Sequence, residues 1–253
     1  MKTTPGGLRG SFPVPTTDPV SGATISLLVE SADGSSQILL DAGTGVLNLL
    51  PRLRPGALLA LTHFHLDHLL GLPLLVPSGL SGILTARPDA ATILSRIYSP
   101  PVWPVPAFNA PFALAAPGKP HVHGALTVAF HPVAHPDGCH AIRIDEPATG
   151  ESLVLATDIE WSLMPPAARA AFAGFAHGAT DLWFDCHFFP SELPSHRGWG
   201  HSSWEEAVDA ARLASAKSVH PLHYSPRATE AETGDLRARF AAPTRPPVTP
   251  SRP

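Results

Sequence analysis

Cysteine is nearly absent from this chain: there are two in 253 residues, Cys139 and Cys186, far apart. That excludes a disulfide framework and makes a reducing, cytoplasmic setting the expectation. Charge is also sparse. Only 15% of residues are charged and the net charge is −4, so no basic field advertises a long nucleic acid as partner. No apolar run approaches the ~18 residues of a membrane span, so no membrane role is expected. The opening Met1–Gly7 lacks the apolar core of a secretion signal. What the chain has instead is proline, 30 residues, and a 44% hydrophobic content. Apolar runs recur between the prolines, which implies stiff loops around a large core rather than a disordered polymer.

The densest chemistry lies in Thr62-His63-Phe64-His65-Leu66-Asp67-His68. Three imidazoles and a carboxylate fall within six residues. Neutral imidazole and carboxylate together suit a zinc-like divalent ion. The apolar run 57–61 just ahead predicts a buried strand. In extended backbone His63 and His65, two apart, point the same way. Asp67 and His68 follow once the chain turns and set a second pair of ligands beside the first. One ion cannot comfortably take all four, so two adjacent ions are expected.

Short apolar runs bounded by Gly, Pro or Asp predict strands at 25–30, 37–41, 57–61, 82–86, 126–133, 141–144, 153–157, 182–185 and 218–222. Helices are predicted at 87–98, with Pro88 in the first turn, and at 165–175, 204–216 and 229–240. Ser203 with Glu206 makes a capping box for the third of these. Residues 1–23 read as irregular, and His121-Val122-His123 as part of a Pro/Gly loop. Residues 99–106 are too rich in proline for helix or central strand. With Phe108 and Phe112 nearby they predict an aromatic loop that either covers the core or walls a pocket. In the second case Trp103 is a substrate-binding residue. Strands then helices, twice over, predict two sheets covered by helices in one α/β domain over residues 1–242. The segment 243–253, with five prolines, is expected to extend beyond it.

Metal-type residues recur just past the later strands: His135, Asp158 and His223. Ligands at several strand ends converge on one edge of a layered α/β fold. One ion would then have His63, His65 and His135. The other would have Asp67, His68 and His223, with Asp158 bridging the two through its two oxygens.

His63-Phe64-His65-Leu66-Asp67-His68 resembles the H-x-H-x-D-H signature of the metallo-β-lactamase-fold hydrolases. His135, Asp158 and His223 follow in the order that family shows. The resemblance implies a four-layer αββα sandwich with a binuclear site at the sheet edges. It also implies a supporting role for Asp41 behind the ligands. Gly200-His201-Ser202-Ser203 resembles the G-H-S-T element of the ribonuclease Z and cyclic-phosphodiesterase branch, with Ser203 in the hydroxyl position. Asp185 stands where that branch carries an acidic residue paired with the histidine. On this resemblance His201 is a proton donor to the leaving oxygen, Asp185 its orienter, Asp67 a ligand that also orients the nucleophile, and Ser203 a substrate-binding residue. The chain carries no Gly/Lys/Arg-rich insertion of the kind that grips tRNA.

The cofactors expected are two divalent ions, zinc first, with manganese or iron open. The function expected is a phosphodiesterase on a small or cyclic phosphodiester, with a hydroxide activated by the ions as nucleophile and His201 as general acid. An acyl hydrolase, such as a thioesterase or lactonase, and a non-catalytic metal- or ligand-binding protein are the alternatives. Oligomeric state is left open, a homodimer included.

Overall fold

Strands form here where leucine-rich runs are buried on both faces. Every residue of Gln37–Leu40, Leu58–Leu61 and Gly82–Thr85 is buried, the pattern of central strands covered above and below. The computed structural model describes residues 1–104, 111–116 and 118–241. Among these, the first sheet has six strands: β1 (Lys2–Gly7), β2 (Ser26–Glu30), β3 (Gln37–Leu40), β4 (Leu58–Leu61), β5 (Gly82–Thr85) and β6 (Phe112–Leu114), side by side in that order. The second also has six: β7 (His121–His123), β8 (Leu126–Val133), β9 (Cys139–Glu146), β10 (Glu151–Ala156), β11 (Asp181–Asp185) and β12 (Ser218–Leu222), again in sequence order. Each sheet begins antiparallel and ends parallel: β3 to β6 run together, as do β10 to β12.

The inner faces of the two sheets share one apolar layer. Leu27, Leu40 and Leu58 of the first meet Ile142, Leu153 and Leu155 of the second. The outer face of the first sheet is covered by the segments around α2 (Val46–Leu49) and α3 (Ala90–Ile97). The outer face of the second is covered by α4 (Pro166–Phe175) and α5 (Trp204–Ala214). The result is an αββα sandwich. Ser203 caps α5 through the predicted box: its hydroxyl accepts the Glu206 amide while Glu206 takes the Ser203 amide. Among the described residues no helix is long and apolar enough to cross a membrane.

Four expectations need correction. Residues 1–23 are not irregular throughout: 2–7 form β1, and Pro19–Gly22 is a turn of helix. Lys-Thr-Thr-Pro-Gly-Gly carries a weak strand signal, but β1 pairs only with β2, and an edge strand tolerates Pro5, which has no N–H to give. His121–His123 is strand β7, not loop, because its backbone pairs with β8. Phe112, expected in an aromatic loop, begins β6. The helix predicted at 87–98 starts at Ala90, so Pro88 lies ahead of it. Phe108 and the segment 243–253 lie outside the described residues.

Candidate metal centre

Parallel strands deliver their C-terminal ends to one edge, and that is where the chemistry gathers. Asp41 follows β3, Thr62 and His63 follow β4, Asp158 comes two residues after β10, Asp185 ends β11, and His223 follows β12. Three of these turn the chain through left-handed backbone: Asp41 at φ 54°, Asp158 at 53° and His223 at 59°. A non-glycine residue held there costs ~1–2 kcal/mol, and the hydrogen bonds around each hold it in place.

All seven predicted ligands come together, and they fall into the two predicted groups. His63, His65, His135 and Asp158 form one, with ligand atoms within 4.8 Å of one another. Asp67, His68 and His223 form the other under the same limit. Within the first, His65 Nδ1 lies 3.1 Å from His135 Nε2, and Asp158 Oδ1 lies 3.8 Å from His63 Nε2 and 3.7 Å from His135 Nε2. Asp158 Oδ2 faces the second, 3.1 Å from His68 Nε2 and 3.2 Å from His223 Nε2. Asp67 Oδ2 is 3.2 Å from His223 Nε2 and 3.4 Å from His68 Nε2. Ligands ~2.1 Å from a common tetrahedral ion stand roughly 3.4 Å apart, so these separations are those of a coordination shell. The two oxygens of Asp158 point to different groups, as a bridge requires.

The residues fit divalent ions on two further counts. Nε2 of His63 and of His68 are buried with no hydrogen-bond partner among the described residues, an arrangement that is costly unless something binds them. Four carboxylates, those of Asp41, Asp67, Asp158 and Asp185, are buried at this edge and call for positive charge. Their effect shows in His68. Burial lowers its pKa, but Asp67, Asp158 and Asp41 outweigh burial and push it well above the ordinary histidine value. Burial likewise raises Asp158, yet His223, His68 and His63 hold it well below the carboxylate range.

Behind the ligands, the rings of His63, His68 and His135 are each aimed by a partner on the far nitrogen. His68 Nδ1 donates to Asp41 Oδ2 at 2.8 Å. The same carboxylate takes the amide and hydroxyl of Thr62, each at 2.8 Å. With its proton so committed, the Thr62 hydroxyl accepts from His63 Nδ1 at 3.1 Å. His135 Nδ1 donates to the Gly200 carbonyl at 2.9 Å. Asp41 thus holds the supporting position that the resemblance implied.

His201 stands beside both groups, and its ligand atom lies within 4.8 Å of those of His187 and His223. Its ring centroid is 5.5 Å from that of His135 and 4.8 Å from that of His223. Its Nδ1 donates to Asp185 Oδ2 at 2.9 Å, and no hydrogen bond from Nε2 is present among the described residues. Burial would lower its pKa, but Asp185 dominates and raises it to about 9. Asp185 is itself buried, which raises its pKa, and the His201 charge and hydrogen bond bring it below the ordinary value. Its other oxygen accepts the amides of His187 and Ser202, each at 3.0 Å.

The two proposed substrate contacts are placed differently. Ser203 is fully buried and its hydroxyl is taken up by the helix cap, so it presents nothing to a substrate. Trp103 packs edge-on against Tyr98 at 5.6 Å and joins the apolar cluster on the outer face of the first sheet. Several residues escaped sequence reading. The Ser11 amide donates to Asp67 Oδ2 at 2.8 Å, reaching the centre from the stretch taken as irregular. Glu160 accepts the amides of Gly198 and Gly200, both at 2.8 Å, and pins the loop that carries His201. His187, which its place beside Asp185 in the sequence marks as a supporting or packing residue, stacks on His201 at 4.3 Å, and burial, helped by His201 and His223, lowers its pKa to about 3, so it stays neutral. A glycine just before His201 was the one available signal: a Cβ on Gly200 would lie 2.1 Å from His135 Nδ1.

A family model described as the beta-lactamase superfamily domain matches residues 36–224. The chain belongs to this superfamily. Comparison with curated proteins gives no match. Among solved structures, the metallo-beta-lactamase fold protein YhfI from Bacillus subtilis is 22% identical with a TM-score of 0.70, over 94% of this chain and 91% of that one. The short form of human tRNase Z is 17% identical at 0.68, over 90% and 93%. A diphosphatase from the PhnP family is 19% identical at 0.67, over 92% and 90%. At these identities the likeness shows the fold, which is the metallo-β-lactamase αββα sandwich. The superfamily includes metal-dependent hydrolases, and the seven converging ligands give this member a cluster able to hold metal.

Proposed function

We propose that this superfamily member is a binuclear metal-dependent phosphodiesterase acting on a small or cyclic phosphodiester. The observation that carries the reading is the His201–Asp185 pair beside the seven proposed ligands, with Nδ1 of the ring committed to the carboxylate. A leaving alkoxide needs a proton, whereas a thiolate leaves without one, so a held imidazolium beside the ions suits a phosphate or similar oxygen ester. Two proteins of the same fold named above, a tRNase Z and a diphosphatase, have names that point to phosphorus esters.

His63, His65 and His135 would hold one ion, Asp67, His68 and His223 the other, and Asp158 would bridge them. Zinc fits the nitrogen-rich set best. When bound, such ions supply Lewis acidity and lower the pKa of water toward ~7. The rest is done by the chain. Asp67, its Oδ2 held by the Ser11 amide, would orient the attacking water, whose first proton passes to solvent once its pKa is lowered. The water oxygen forms the new bond to phosphorus as the bond to the alcohol breaks. His201 Nε2 gives its proton to the departing oxygen, and Asp185 keeps the ring charged and aimed.

His201→Ala tests this. It should leave metal content intact, lower the rate on an alkyl or cyclic diester ~10²-fold or more, and cost much less on a nitrophenyl diester, whose leaving group needs no proton. Equal losses on both would make His201 a phosphate-binding group. Turnover of a thioester or lactone, with none of any phosphodiester, would replace the reading with an acyl hydrolase.

A further inference from the structure

Trp199 lies two residues before His201 and is 60% exposed. A single exposed apolar residue is ordinary, but this one is built in. The amides on either side, Gly198 and Gly200, are both pinned to the buried carboxylate of Glu160. The Trp199 amide donates to the His196 carbonyl at 3.1 Å. Under the indole lie further rings: His196 meets it edge-on at 4.9 Å, Phe188 meets it edge-on at 6.4 Å, and His196 stacks on Phe188 at 4.4 Å. Phe188 in turn reaches His201, ring centroids 5.9 Å apart. The indole is therefore a supported shelf on the same loop as the proposed proton donor.

We propose that Trp199 is the platform for the leaving alcohol, and that this alcohol carries a flat aromatic group, a nucleobase or an aryl ring. The proposal rests on the phosphodiesterase reading, because it is the proton from His201 that assigns this side of the centre to the leaving oxygen. In an in-line displacement the attacking water approaches from the opposite side of phosphorus, so the departing alcohol is the part brought beside His201 and its loop. An indole face held rigid and open favours stacking of a planar ring over an alkyl group of the same size, since little ordering remains to be done on binding.

The test compares two methyl diesters whose leaving alcohols are similar in acidity and bulk, one 2-naphthylmethyl and one 2-decahydronaphthylmethyl. Trp199→Ala should raise KM for the naphthylmethyl diester about tenfold or more with kcat nearly kept, and change the decahydronaphthylmethyl diester by less than about twofold. Trp199→Phe should restore most of the loss. Equal effects on both substrates, or none, would overturn the platform. A chain that hydrolyses neither diester would remove the phosphodiesterase reading, and binding then tests the shelf alone. 2-Naphthylmethylphosphonate and 2-decahydronaphthylmethylphosphonate would be titrated into the protein by calorimetry. An aromatic preference of about tenfold that disappears in Trp199→Ala supports the shelf; equal binding of the two, or a preference that survives the substitution, overturns it.

Discussion

The backbone amide of Asp158 donates to Oδ2 of Asp185 at 3.0 Å, and that oxygen also receives Nδ1 of His201 at 2.9 Å. One buried carboxylate therefore holds Asp158 in its left-handed turn and aims His201. On the proposed function, metal binding and acid catalysis would be coupled through this one side chain.

Asp185→Asn should accordingly do more than His201→Ala. Loss of the charge unaims His201, and a misplaced amide NH₂ facing the Asp158 amide loosens the bridge. The expected outcome is a rate loss of ~10²-fold or more on an alkyl diester together with weaker metal retention, whereas His201→Ala keeps its metal. The double variant should be little worse than Asp185→Asn, since the pair acts as one unit. Rates and elemental analysis on the three proteins decide it; full metal content in Asp185→Asn would break the proposed coupling.

Two ions per chain are expected on elemental analysis of reloaded protein. Asp158→Ala removes the oxygens that face both groups and should lower affinity for both ions, not one. A stoichiometry that never exceeds one in the unaltered chain would rule out the binuclear centre.

Gly200→Ala asks for a methyl group 2.1 Å from His135 Nδ1, at a backbone φ of 88° that disfavours any side chain. His135 should be displaced, and the His63/His65/His135 group should lose its ion while the Asp67/His68/His223 group keeps one. Metal content falling from two to about one, with the fold retained by circular dichroism, is the expected result. Unchanged metal content would mean that the loop moves and the ligand does not.

Trp103→Ala separates the two readings of its loop. Because the indole packs on Tyr98 in the apolar cluster, the substitution should cost about 1–3 kcal/mol of stability and lower Tm by several degrees, leaving KM unchanged. A raised KM at unchanged Tm would restore the pocket-wall reading.

Much of the centre was legible because its ligands are local or sit at strand ends. His63 to His68 are neighbours in sequence, and strand periodicity put His135, Asp158 and His223 at the same edge as that cluster. The capping box of Ser203 and Glu206 was legible for the same reason: both of its bonds span three residues. Yet the hydroxyl that completes the box is thereby withheld from any substrate, which only burial reveals.

The chain's own order of apolar runs and metal-type side chains was enough to lay out the two sheets and to bring the seven candidate ligands to one edge, because those depend on short spacings and on which way a strand end faces. The contacts that make the ligands work as a centre span long separations. Ser11 reaches Asp67, Glu160 pins Gly198 and Gly200, and Asp185 joins Asp158 to His201. No residue pattern encodes such pairs, since a buried carboxylate takes whatever donors packing brings to it. The same holds for the aromatic side chains: Trp103 and Trp199 are alike in sequence, and it is packing on Tyr98 in one case and a pinned, open loop in the other that sets them apart.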